Sequence, residues 1–337
     1  MLNVTLYTRK GCKLCDEVKA ELSELQSQYP HQLVEVDIES DAALKANFAL
    51  EIPVIEAGPY SLKAPITRQK LQMTLGAASD RKNQLEELGD PEYLMRIKKG
   101  KKVTTGDRVS YWIARRYLLL LNLFMLFYVG LPFLAPTLME MGATLPAKAI
   151  YRIYSPLCHQ FGFRSFFLYG EQAYYPLAEA KLAGVKTFEQ ATGISNLDDP
   201  YSNTRFQARA YTGDETVGYK IALCERDVAI YLGLLTFGII FGLTGRRIKP
   251  LHWAIWLFIG IAPIAFDGFS QLFSQFHWLP LASVFPYRES TPFLRVLTGA
   301  LFGICTAWFA YPNIEESMSE TRQYYVKKFA VNEAVQE

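Results

Sequence analysis

Cysteine, excess charge and repetition are all scarce in this chain, and each shortage narrows its class. Five cysteines in 337 residues, scattered from Cys12 to Cys305, are too few for the disulfide scaffold of a small secreted domain. Each therefore has to be read in its own surroundings. Lys and Arg number 35 against 33 Asp and Glu, and no basic stripe interleaves with aromatics along a soluble helix, which excludes a nucleic-acid partner. Neither an internal repeat nor a low-complexity tract is present, which excludes a solenoid. The start, Met1-Leu-Asn-Val-Thr-Leu-Tyr7, has no basic residue, long apolar run or small-residue cleavage site of a secretory signal, and it predicts a strand instead.

Hydrophobic residues are distributed unevenly. A mean hydropathy of +0.05 averages a polar first third with a later part rich in Leu, Phe, Ile, Trp and Tyr, so two domains are expected. In the first third, Val4-Thr-Leu-Tyr-Thr8 is β-branched and aromatic, and Asp16 to Leu25 carries helical apolar spacing. Leu33-Val-Glu-Val-Asp37 alternates as a second strand, Ala42 to Leu50 predicts a short helix, and Val54-Ile55 a third strand. A last amphipathic helix is predicted from Thr67 to about Leu75. The expected organisation is an α/β domain over 1–80, a basic linker over 81–114, a multi-span membrane domain over 115–313 and a tail over 314–337.

Four apolar runs, at about Tyr117–Pro136, Val228–Thr244, Trp253–Phe273 and Phe293–Tyr311, approach the ~17–25 residues a helix needs to cross hydrocarbon. They predict an all-α membrane domain with four transmembrane helices, set in a lipid bilayer. A basic run from Arg96 to Arg116 precedes the first span, and Arg246, Arg247 and Lys249 separate the second from the third. Cationic loops stay inside, so both termini are expected in the cytosol of a cytoplasmic-membrane protein, with segment 137–221 on the other side.

Cys12 and Cys15 lie one helical turn apart where the first strand turns into the first helix. A thiolate at a helix N-terminus is favoured by the unpaired N–H groups there, so Cys12 is the expected nucleophile and Cys15 the thiol that resolves the mixed disulfide. Lys10 and Lys13 add positive charge nearby. Half of a zinc site is the competing reading, but no second Cys-x-x-Cys or Cys/His pair occurs in the polar third, where His31 stands alone.

Leu6-Tyr-Thr-Arg-Lys-Gly-Cys-Lys-Leu-Cys15, Val36-Asp37-Ile38 and Glu51-Ile-Pro-Val-Ile55 resemble the glutaredoxin-like branch of the thioredoxin superfamily, over about the first eighty residues. The resemblance implies a thioredoxin-like fold of glutaredoxin type. It also implies a cis proline at Pro53 lining the active site, and a dithiol that needs no added cofactor. The Gly-Gly and Asp with which glutaredoxins hold glutathione have no counterpart; Ala57-Gly58-Pro59-Tyr60 stands there. Glutathione is thereby left open.

A second group of residues gathers on the outer side. Asp267 lies about fifteen residues, or ~22 Å, into the third span. Arg295 opens the fourth span, Asp227 the second, and Arg288 and Glu289 lie in the outer loop. Cys158, His159 and Arg164 come from the long outer segment, and Cys224 precedes the second span. Cys158, His159, Cys224 and Asp227 have the residue types of a zinc site. Alternatively Cys158 and Cys224 form a disulfide, or stand as separate thiols. An Asp267–Arg295 pair would join two helices, and Cys305 reads as a small buried apolar residue. Residues Tyr154-Ser-Pro-Leu-Cys-His-Gln160, Arg164-Ser-Phe-Phe167, Cys224-Glu-Arg226, Asp267-Gly268, Arg288-Glu-Ser290 and Thr298-Gly299 resemble an uncharacterised family of predicted bacterial membrane proteins. That family usually continues its second cysteine as Cys-x-x-Cys; here Asp227 holds the last place, and a polar insertion spans about Glu171–Gly218.

Two functions follow. One is a membrane-anchored thiol-disulfide oxidoreductase whose partner is a cytosolic dithiol carrier or protein disulfide. The other is an ion- or metal-binding, transporter-like protein with a redox-sensing domain.

Overall fold

The computed structural model describes residues 1–89, 91, 95, 103–197, 202–275 and 287–336. The basic residues from Arg96 to Lys102 and His277 lie outside them. Two compact units result, Met1–Tyr117 with Glu316–Glu337, and Leu118–Glu315.

In the first unit, β1 (Leu2–Thr8), β2 (His31–Asp37), β3 (Val54–Ala57) and β4 (Tyr60–Lys63) form one sheet in the order β2-β1-β3-β4. β1 runs parallel to β2 and antiparallel to β3, with Leu6 opposite Ile55, and β3 and β4 make a hairpin. This is the thioredoxin-like arrangement. Strand alternation divides the core in two. Val4, Leu6, Ile55 and Ala57 face α1 (Lys13–Glu24) and α3 (Arg68–Glu87), meeting Val18, Leu22, Leu71 and Leu75. Full burial of such aliphatic side chains is worth ~1.5–3 kcal/mol each, so this face is the principal source of stability.

Tyr7, Val36 and Val54 face the other way, where α2 (Ala42–Phe48) has only seven residues. Val326 and Ala330 complete that cover. They belong to α10, a continuous helix over Pro292–Gln336 whose last part lies in this unit. The sequence predicts a tail after residue 313; instead, the helix continues past Pro312 because its terminal turns have a surface to bury against. Arg322, Lys327 and Lys328 pair there with Asp41, Glu56 and Asp107.

The second unit holds the apolar helices. α4 (Thr105–Glu140), α8 (Glu225–Leu243), α9 (Trp253–Ser274) and the first part of α10 are each long and apolar enough to cross a membrane. α4 begins twelve residues before its apolar run, because Thr104 and Asp107 form a reciprocal cap, amide to side chain at 2.8 and 3.2 Å. Glycines bring α8 and α10 together: a Cβ on Gly303 would lie 2.2 Å from the Ile230 carbonyl oxygen, and one on Gly299 2.7 Å from that of Arg226. Small residues four apart allow such backbone contact between apolar helices. Cys305 is buried against Gly260 of α9, as expected of a small apolar residue.

Between α4 and α8 the chain folds into a lobe. It contains α5 (Thr144–Tyr154), β5 (Ser165–Leu168), α6 (Phe188–Thr192), α7 (Thr204–Ala210), β6 (Gly213–Asp214) and β7 (Gly218–Cys224). The strands form an antiparallel sheet in the order β5-β7-β6. Phe163, Phe167, Tyr175 and Phe188 form its aromatic core, in part from the polar insertion.

Candidate functional site

Cys12 caps α1. Its backbone is extended and its sulfur accepts a hydrogen bond from the Cys15 amide at 3.3 Å, so the first turn's unpaired donors point at it. The two sulfurs are joined as a disulfide, with Cα atoms 5.2 Å apart. Cys15 is 0 % exposed, whereas Cys12 is half-buried. That asymmetry lets a partner reach one sulfur only. In the reduced state the helix terminus favours the Cys12 thiolate, and exposed Lys10 and Lys13 add to the positive field.

The Ile52–Pro53 bond is cis, and Pro53 lines a groove of about 820 Å³ beside the dithiol. Leu14, between the cysteines in sequence, lines it together with the apolar Ile66 and Leu71, and Glu17, Glu21 and Glu24 line it from α1. Arg68 donates to Glu21 at 3.0 Å and also to Glu24. The stretch Ala57–Tyr60 is the turn of the β3–β4 hairpin, and the segment from β4 into α3 that faces this groove is Ala64-Pro65-Ile66.

In the second unit the predicted outer residues meet at one end of the bundle, but in different pairs from those expected. Arg295 donates to Glu225 at 3.1 Å and to Glu289. Arg164 holds both carboxylate oxygens of Glu289, at 2.7 and 2.8 Å, and Gln271 donates to it at 2.6 Å. Asp267 instead accepts from Arg226, from Arg288 at 2.7 Å and from the Ser290 hydroxyl at 2.7 Å. The expected Asp267–Arg295 pair is therefore corrected. Glu225 and Arg226 are consecutive on α8 and point about 100° apart, so one serves α10 and the other α9. Burial alone would raise the Glu289 carboxyl, but the Arg164 and Arg295 guanidinium groups outweigh it and hold it below its ordinary value.

Cys158, Cys224 and Asp227 form a separate group. Their donor atoms all lie within 4.8 Å of one another. Cys158 and Cys224 are free thiols, the Cys224 amide donating to Cys158 Sγ at 3.3 Å and the Cys224 thiol to Asp227 Oδ2 at 3.0 Å. Contact with Cys158, then burial and Asp227, push the Cys224 thiol well above its usual range. His159, expected as a fourth donor, is exposed and stacks on Phe161 with ring centroids 5.7 Å apart. The turn after α5 that buries Cys158 directs its neighbour outward.

Three charged residues carry parts of these sites beyond those expected there, two of them visible in the sequence only inside the Cys224-Glu-Arg226 motif. Glu225 and Arg226 stand beside Cys224 in the sequence, and their position at the start of a span was the available signal. Lys220 is fully buried, its ammonium donating to the carbonyls of Gln160 at 2.8 Å and Arg209 at 2.6 Å, and burial pushes it down to about 7. A lysine in a strand gives no such signal.

A thioredoxin-like domain with a capped dithiol, followed by four apolar helices, defines the class. Residues 3–76 match the family described as glutaredoxin-like domain (DUF836), and residues 216–309 match predicted membrane protein (DUF2085). The chain thus fuses a glutaredoxin-like domain to a predicted membrane-protein domain. An uncharacterized protein of Methanocaldococcus jannaschii, MJ1492, is 26% identical over 204 residues, 58% of this chain and 90% of that protein. No solved structure matches the chain.

Proposed function

We propose that the chain is a membrane-anchored thiol-disulfide oxidoreductase working through Cys12 and Cys15. The observation that carries this reading is the placement of one reachable sulfur at a helix N-cap with a fully buried second sulfur one turn on. The Cys12 thiolate attacks a partner disulfide, forming a mixed disulfide and releasing one partner thiolate. The Cys15 thiolate then attacks Cys12 Sγ, closing the Cys12–Cys15 bond and releasing the second. Two electrons pass to the partner, and a dithiol donor returns the site to its reduced form. Leu14, between the two cysteines in sequence, lines a groove together with Pro53. The basic loops favour a cytosolic dithiol, so the partner would be a cytosolic dithiol carrier or a protein disulfide.

The test uses the full chain in detergent micelles, with dithiothreitol as donor and a peptide disulfide as acceptor. Cys12→Ser should abolish turnover, whereas Cys15→Ser should keep the first attack and accumulate a mixed disulfide visible as a mass adduct. Unchanged turnover in Cys12→Ser would sink the proposal. An impermeant thiol reagent applied to intact cells tests the orientation: labelling of Cys12 from outside would reverse it.

A further inference from the structure

We infer that Cys158, Cys224 and Asp227 form a three-donor site for a thiophilic divalent cation, zinc being the ion whose preferences they match. The reasoning starts from distances. A tetrahedral zinc ion with sulfur ligands near 2.3 Å and a carboxylate oxygen near 2.0 Å sets its donors about 3.5–3.8 Å apart. Here all three donors lie within 4.8 Å of one another before any ion is considered. Shifts of about 1 Å, within reach of side-chain rotation, would complete the geometry. Two thiolates and one carboxylate are a borderline-soft set, which suits zinc and disfavours magnesium or calcium.

The site is also rigidly built. Cys158 is buried and anchored by its amide to the Tyr154 carbonyl at 3.0 Å; Cys224 ends β7, and Asp227 lies in the first turn of α8. Two segments distant in sequence are thereby brought together, and Gln160 staples them. Its buried side-chain amide donates to the carbonyls of Tyr151 at 3.0 Å and Ala222 at 2.9 Å, one bond to each ligand-bearing segment. Lys220 ties the Gln160 carbonyl from the other side. Fixed outer partners of this kind are what hold metal ligands in place. The Cys224 amide already donates to Cys158 Sγ, an acceptor geometry that stabilises a thiolate.

Charge is consistent with this reading. Two thiolates and a carboxylate would leave one negative charge in excess over a divalent ion. Lys220 is fully buried on β7, four residues before Cys224 on the same strand. A fully buried lysine is costly unless it has a counter-charge, and a metal-bound thiolate supplies one. With three protein donors among the described residues, a tetrahedral ion keeps one position open to water or a small ligand. Binding forms two metal–sulfur bonds and releases the thiol protons to solvent.

The experiment uses the full chain in detergent micelles with Cys12→Ser and Cys15→Ser, which removes the other dithiol. Metal content by mass spectrometry should read one zinc per chain, and cobalt(II) substitution should give a thiolate charge-transfer band. Cys158→Ser or Cys224→Ser should abolish both. Asp227→Asn should weaken zinc more than the roughly 10–100-fold that loss of an outer partner costs. Asp227→Cys should retain zinc and strengthen the cobalt band, a gain that misfolding could not produce. Zinc-free protein at micromolar free zinc, a cobalt spectrum without the band, or a Cys158–Cys224 disulfide in unreduced protein would each overturn the inference.

Discussion

Arg322 and Asp41 form a buried ion pair, Nε to Oδ2 at 3.0 Å, across 281 positions of sequence. Arg322 also donates to the Ala114 carbonyl at 3.1 Å, so one guanidinium holds α10, the start of α2 and α4 together. Removing one partner of a buried pair leaves an uncompensated charge and typically costs about 3–5 kcal/mol. Arg322→Ala or Asp41→Asn should therefore lower the unfolding midpoint of the glutaredoxin-like domain by several degrees in thermal melts of the full chain. Arg322→Met combined with Asp41→Leu should recover much of the loss. If the single substitutions leave the melt unchanged, the terminal helix does not stabilise the domain.

That pair is not legible in the sequence. The strands, α1 and the dithiol were legible because Val4-Thr-Leu-Tyr and Leu33-Val-Glu-Val alternate, and because Gly11-Cys12 precedes a helical apolar period. The four spans were legible from their apolar length. Nothing in the local sequence marks Arg322, Lys327 and Lys328 as paired, yet Asp41, Glu56 and Asp107 neutralise all three in the fold. Such pairing depends on which surfaces meet, and no local period encodes it. For the same reason Asp267 and Arg295, expected as a pair, take other partners in the fold. Depth along a helix follows from counting residues; the direction in which Glu225 and Arg226 point depends on the neighbours they meet.

Glu289 lies between Arg164 and Arg295, only 4 % exposed, and Gln271 is a further donor to it. Glu289→Gln keeps the shape but leaves two guanidinium groups without their charge, so a loss of about 3–5 kcal/mol is expected. The carboxyl is held below its ordinary value, so the native state binds fewer protons than the unfolded state between the two. Its stabilisation is present above the ordinary value and disappears as pH falls through the lowered one. The acid-unfolding limb of the wild type should steepen there. In Glu289→Gln, followed by tryptophan fluorescence, that part of the slope should be absent.

Asp214 organises the turn between β6 and β7. Its Oδ1 accepts from the amides of Thr216 and Val217, both at 2.9 Å, and its Oδ2 accepts from the Tyr211 hydroxyl at 2.6 Å. Burial works to raise its pKa, but these hydrogen bonds win and lower it. Its contribution is full above the ordinary aspartate range and fades as pH falls through the lowered value. Asp214→Ala should cost about 1–2 kcal/mol, since each bond is worth ~0.5–1.5 kcal/mol and the site is exposed enough for water to replace part of the loss. Faster amide exchange at Thr216 and Val217 would check it, and unchanged protection at both would refute it.

Gly303 gives the sharpest steric expectation. An added methyl would sit 2.2 Å from the Ile230 oxygen and 3.0 Å from its carbonyl carbon, and both are backbone atoms that cannot rotate away. Gly299, four residues earlier, meets the Arg226 oxygen, so the two glycines form one strip against α8. Gly303→Ala must push the helices apart, and overpacking of this kind costs about 1–3 kcal/mol, more than the ~1 kcal/mol gained from alanine's helix propensity. Separation would disturb the Arg295–Glu225 pair two turns away, where the same helices meet. The substitution should lower the thermal midpoint in micelles, and Gly303→Leu should lower it further. By contrast, Gly130→Ala on α4, where a Cβ meets nothing within 4 Å, should leave the midpoint unchanged or raised. Equal behaviour of Gly303→Ala and Gly130→Ala would mean that this contact does not hold the bundle.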